Sequence, residues 1–176
     1  MKSTMLFLAA CMAAMPLARA ATTPTPNAEA TQRAEVVFVH PEKFTDAKDS
    51  YMGTDAGRDA ILAQLRNYML QEARRMIPAG DHLYISVTNV DLAGDFEPWR
   101  GPNWDDVRIV KDIYPPRMDL SFRLTDASGR VIKEGTRHLQ DLAFMMKITP
   151  GFQDDPLRHD KGLIDDWFHD EFGGLK

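Results

Sequence analysis

The sequence predicts an α+β domain: a mostly antiparallel sheet of four to five strands, one long amphipathic helix across one face, and a second helix at the C-terminus. Three patterns predict it. Between residues 54 and 77 apolar side chains recur every three or four positions, the period of one helix face. Over 83–88 and 118–125 they alternate with polar ones, the period of a half-buried strand. Near the end Leu157, Ile164, Trp167, Phe168 and Phe172 return to helical spacing. Strand, helix, strands and helix in that order make a sheet covered on one side.

The first twenty residues, MKSTMLFLAACMAAMPLARA, are organised as a secretory signal. Lys2 is the positive start, residues 5–15 are apolar, and Ala18-Arg19-Ala20 is the small-x-small pattern that signal peptidase accepts. Cleavage is expected after Ala20, because so short a run does not cross roughly 30 Å of hydrocarbon as a stable helix. Cys11, the single cysteine, offers the alternative of a lipoprotein: Leu8-Ala9-Ala10-Cys11 matches the box before a lipidated cysteine, but only six apolar residues precede it. Processing at Ala20 leaves 156 of 176 residues and no cysteine. A chain entering an oxidising compartment without a disulfide depends on one hydrophobic core, which this length can bury. The formal charge of −5 becomes −7 once Lys2 and Arg19 are removed. With no basic cluster, that balance disfavours nucleic-acid and anionic-membrane partners. The expectation is a periplasmic or secreted protein with no transmembrane segment in its mature chain.

Residues 21–34, polar with two prolines, read as a flexible leader. The domain is expected over 35–172. Val36-Val37-Phe38-Val39 before His40-Pro41 reads as a buried strand, and residues 41–53 as a loop. Thr54 or Asp55 caps the long helix, whose stripe is Ile61, Leu62, Leu65, Met69, Ala73 and Met76; Pro78 and Gly80 end it. Leu83, Ile85 and Val87 form the next buried face. The apolar phase then slips to Val90 and Leu92, predicting a bulge between Thr88 and Val90 or the end of regular pairing. Val107–Ile113 reads as a further strand, or as the first half of one that Pro115 and Pro116 interrupt at an edge. Met118, Leu120, Phe122 and Leu124 alternate cleanly. Asp126-Ala127-Ser128-Gly129 is a turn, and a strand from Arg130 to about Gln140 returns beside them. Asp155 and Pro156 begin the final helix, with Gly162 weakening its first half.

Four pieces in this order, VVFVHPEKFTDA, VTNVDLAGDFEPWR, DVRIVKDIYPPRMDLSFRLTDASGRVIKEG and HLQD, carry a likeness. Together they resemble the secreted bacterial family known as domain of unknown function 3016, over roughly residues 35–172. The resemblance implies an envelope location and a common fold. It brings no activity and no catalytic residue.

Function therefore rests on the residues. DFEPWRGPNWDDVRIVKDIYPPR, residues 95–117, holds two tryptophans, three arginines and four prolines among acids. Two readings stay open. Exposed, Trp99 and Trp104 stack on sugar rings or clamp a peptide, with Arg100 gripping a carboxylate. Buried, the indoles lid the sheet while Arg100, Arg108 and Arg117 pair with Asp95, Asp105, Asp112 or Asp119. The candidate binding residues are Trp99, Arg100, Trp104, Arg108, Tyr114 and Arg117, and the expected partner is an envelope protein, peptide or glycan. Tyr114-Pro115-Pro116-Arg117 lacks P-x-x-P spacing and reads as a stiff edge.

A small hydrolase using Asp91, Asp95 or Asp105 with Arg108 is the enzymatic alternative, and it requires a pocket gathering two carboxyls. The adjacent pairs Asp105-Asp106, Asp154-Asp155 and Asp165-Asp166 do not qualify, because neighbours diverge on a strand or helix. Asp165, Asp166 and His169, with His159 or Asp160, could form a metal site on the final helix. Without H-E-x-x-H or a cysteine pair they equally describe a charged outer face, so no metal ligand and no cofactor is assigned. None of the mature chain's serines lies in a G-x-S-x-G elbow, and no phosphate loop occurs.

Overall fold

The computed structural model describes residues 33–104, 106–147 and 154–175. The expected signal with Cys11 and Ala20, most of the expected leader, and Asp105 lie outside the described residues. Within them the chain is α+β, in the order β1 (Ala34–Phe38), α1 (Asp55–Met76), β2 (His82–Asp91), β3 (Asp95–Phe96), β4 (Arg108–Ile109), β5 (Arg117–Thr125), β6 (Val131–Gln140) and α2 (Arg158–Phe172). Strands β1, β2, β5 and β6 lie side by side in that order, while β3 and β4 form a separate two-stranded ribbon. All pairs are antiparallel except β1 and β2. Parallel neighbours need a long crossover, and here it is α1.

Thr54 caps α1: its Oγ1 accepts from the Gly57 N–H at 2.9 Å. Leu62, Leu65, Met69 and Ala73 are buried as their spacing requires. Tyr68 and Glu72, which that spacing passes over, are buried too. Helix α2 lies alongside α1 and widens its buried face; the Tyr68 hydroxyl donates to Asp165 Oδ1 at 2.6 Å across the contact. On the sheet, Leu83, Ile85 and Val87 of β2 and Met118, Leu120, Phe122 and Leu124 of β5 fill the core. Phe122 meets Trp167 and Phe172 of α2 edge-on, at 5.7 and 5.6 Å between ring centres. The register shifts between Val87 and Asn89, at the bulge the slipped pattern predicts, and Val90 is buried again beyond it. One added residue restores the face that a slip would invert.

Several expectations need correction. The run Val36–Val39 is not a strand buried on both sides. β1 is a sheet edge, with Ala34 and Val36 buried and Val37 and Phe38 partly covered. Val107–Ile113 is not a full strand: pairing is confined to Arg108–Ile109, because the partner offers only Asp95 and Phe96. Pro115 and Pro116 do not blunt an edge. They are buried just before β5, which lies between β2 and β6, and the missing amides fall ahead of the ladder instead of within it. Helix α2 starts at Arg158, later than Asp155-Pro156 suggests, although Asp155 Oδ1 still accepts from the Leu157 N–H at 2.8 Å. Gly162 does not interrupt it.

The other edge, β6, is charged. Lys133 and Arg137 both pair with Glu171 of α2, and Glu134 pairs with Arg123 of β5. Such an edge resists adding a further strand. No helix among the described residues is long and apolar enough to cross a membrane.

Candidate functional site

The unusual stretch is the tip of the β3–β4 ribbon. The chain leaves β2 at Asp91 and turns through Gly94, whose φ is +83° and where a Cβ would lie 2.8 Å from the Ile109 carbonyl oxygen. Only glycine fits that approach without strain. Its N–H donates to Tyr114 O at 3.0 Å, closing the base of the ribbon. Between β3 and β4 the backbone makes two 3-10 turns, Pro98–Arg100 and Pro102–Trp104.

Glu97 anchors this tip. It is 1% exposed, and its carboxylate accepts from Arg100 Nε, Lys111 Nζ and the Tyr114 hydroxyl. Lys111 and then Arg100 hold the Glu97 carboxyl down at about 2, against the cost of burial. Burial, and then the Glu97 carboxylate, push the Tyr114 hydroxyl up. Trp99 is left 71% exposed and Trp104 40%, with the Arg100 guanidinium 5.6 Å from the Trp104 ring centre. Both indoles therefore stand at the surface on a turn pinned from beneath.

At the foot of the ribbon lies a cleft of about 370 Å³. Asp46, Lys48 and Tyr51 line it from the loop after β1, Asp91 from the end of β2, Asp95 and Phe96 from β3, and Tyr114 and Arg117 from the approach to β5. Its position follows from a backbone bridge between Asp46 and Asp91, which continues the line of β1 along β2. Arg108 ties several of these lining residues together. Its fork grips Asp46 at 2.7 and 3.1 Å, donates to the carbonyls of Gly94 and Lys48 at 2.9 Å each, and stacks on Phe96 at 4.6 Å. Arg117 Nη1 donates to Asp91 Oδ2 at 2.8 Å. Burial raises the Asp91 carboxyl; Arg117 opposes the rise, and the Asp46 and Asp95 carboxylates add to it. Behind the cleft, Asp160 of α2 is 3% exposed, its Oδ1 accepting from the Ala93 N–H at 3.0 Å. Burial pushes its carboxyl up to about 7.

The six predicted binding residues thus fall in one region. Trp99, Arg100 and Trp104 form an exposed platform, Tyr114 and Arg117 line the adjoining cleft, and Arg108 is its internal clamp. The predicted ion-pair partners are replaced: Arg100 takes Glu97, Arg108 takes Asp46 and Arg117 takes Asp91. Asp46 lies 62 positions from Arg108, so no local spacing could pair them. Asp46, Lys48, Tyr51, Glu97 and Asp160 were not in the sequence-based set of binding residues. Only Asp160 left a usable signal, an acid on the apolar stripe between Leu157 and Ile164. Among the described residues, no three His, Cys, Asp or Glu gather as metal ligands. Asp165 accepts from Tyr68, Asp166 pairs with Lys147, and Asp160 faces Ala93.

The family model described as Protein of unknown function (DUF3016) matches residues 32–170. The chain belongs to this family. The match spans every strand, the platform, the cleft and nearly all of α2, so the DUF3016 domain includes the whole candidate site. No curated protein and no solved structure matches the chain.

Proposed function

We propose that this DUF3016 protein is exported to the cell envelope and works there as a non-enzymatic binding module, recognising a protein, peptide or glycan through the Trp99–Trp104 platform. The signal pattern before Ala20 supports the location. One observation carries the binding: a tryptophan 71% exposed on a turn that a buried, triply bonded Glu97 holds in place. Tryptophan and arginine on a preorganised surface are the residue types that dominate binding energy at interfaces. Photocrosslinking residues placed at 99, 100 and 104 in the exported protein test the reading, with position 59 on the exposed side of α1 as control. Adducts specific to the platform and lost on adding Trp99→Ala to the 100 and 104 probes support it. Equal yields from position 59, or no adducts at all, overturn it.

A second reading, hydrolysis in the cleft, has one observation behind it: Asp91 and Asp95 share the cleft with Asp46, and the Asp91 carboxyl is raised by burial first and then by the Asp46 and Asp95 charges. A carboxyl raised beside an ionised one is how acid and base roles separate. Arg108 takes no part in this version, since its fork is committed to Asp46. Chromogenic ester and glycoside substrates test it: turnover abolished by Asp91→Asn supports hydrolysis, and no turnover by the wild type removes it.

A further inference from the structure

The cleft beside the platform suits one ligand chemistry better than others. Two of its carboxylates are paired, Asp46 with the Arg108 fork and Asp91 with Arg117; Asp95 accepts from the Phe96 N–H at 2.7 Å, and Lys48 supplies the balancing positive charge. A cationic ligand finds only Asp95 without a guanidinium, and meets Arg117 and Lys48 beside it. An anionic ligand meets three carboxylates, with two guanidinium groups in use and Lys48 alone left to receive it. A peptide that adds as a further strand needs an unpaired edge. Three amides along its β2 side are taken: Asp46 N–H donates to Val90 O, Leu92 N–H to Asp46 O, and Gly94 N–H to Tyr114 O, each at 3.0 Å.

What the walls keep is hydrogen-bonding capacity in both senses. A carboxylate accepts at about four positions, so Asp91 and Asp95 retain lone pairs beyond the bonds they make. Arg117 and Lys48 have further N–H groups, and half-exposed Tyr51 offers a ring face. We propose that this cleft is a saccharide subsite, in which ring hydroxyls donate to Asp91 and Asp95, accept from Arg117 and Lys48, and leave the internal ion pairs intact. A neutral polyol both donates and accepts at each hydroxyl, which a cleft carrying carboxylate acceptors beside N–H donors rewards. The volume lies at the small end of the range for ligand sites. Tyr114 lines the cleft and also donates to Glu97, so subsite and platform share one support. The proposal rests on the binding reading above and names its ligand class.

The test is calorimetric titration of the mature protein with tri-N-acetylglucosamine, maltotriose and trimannose, set against trialanine, trilysine and inorganic phosphate. At least one trisaccharide binds, and Tyr51→Ala and Asp95→Ala each weaken it by about tenfold or more, about 1.4 kcal/mol, with thermal unfolding unchanged. The subsite is overturned if none of the three binds at millimolar concentration, if neither substitution matters, or if trialanine, trilysine or phosphate binds more tightly. The two readings separate through Trp99→Ala. A trisaccharide lost in Trp99→Ala but kept by both cleft variants leaves the platform and removes the subsite. One lost only in the cleft variants does the reverse.

Discussion

Asp160→Asn is expected to stabilise the protein increasingly as pH rises. The Asp160 carboxyl sits 3% exposed at the start of α2, with the Ala93 N–H as its hydrogen-bond partner. Desolvation lifts it from 3.8 to about 7, against the pull of that N–H and of Arg108. A raised carboxyl binds its proton more tightly in the folded state, so its contribution is complete below pH 3.8 and is lost as pH climbs through about 7. About three units at about 1.4 kcal/mol each make the full loss about 4 kcal/mol, of which about 3 kcal/mol falls between pH 5 and pH 8.5. Asparagine keeps an oxygen for Ala93 but never ionises. The asparagine variant should therefore gain about 3 kcal/mol over the wild type between those two pH values, seen as a growing separation of urea midpoints at unchanged slope. A stability difference independent of pH would refute a carboxyl held neutral by burial.

Three further outcomes follow from the same geometry. Gly94→Ala combines positive φ with a Cβ 2.8 Å from the Ile109 carbonyl; it should cost about 1–3 kcal/mol, measured by urea unfolding. Thr54→Ala removes the cap of α1 and the partner of Asp49; about 1 kcal/mol is expected, read as a lower thermal midpoint. Glu97→Gln should raise acrylamide quenching of tryptophan fluorescence, because Lys111 and Arg100 lose the charge that pins the platform. In the wild type that pin is fully present above pH 4.5 and is lost as pH falls through about 2, so quenching should stay flat down to pH 4.5 and rise below it.

The elements were legible wherever one periodicity governed a long segment. The stripe of α1, the alternation in β5 and the slipped phase in β2 each repeat a local rule over many residues, and each appears as expected. Legibility failed where a neighbour decided the outcome. Val36–Val39 is equally apolar in a central or an edge strand, and only the sheet order places it at the edge. Pro115 and Pro116 exclude a ladder position for themselves but do not say whether the strand that follows is central. Trp99 and Trp104 were visible as a candidate surface, whereas their exposure depended on Glu97 collecting Arg100, Lys111 and Tyr114 beneath them.

By itself the sequence determined the α+β class, the long helix with its cap, the bulge in β2, and a short stretch rich in tryptophan and arginine. These follow from bond geometry and side-chain period within a few residues. Tertiary structure alone decided that Asp46 meets Asp91 and Arg108, that a cleft opens between them, and that Asp160 is buried behind it. Those partners lie tens of residues apart, and the chain brings them together only when burial of the shared core closes the loops between them.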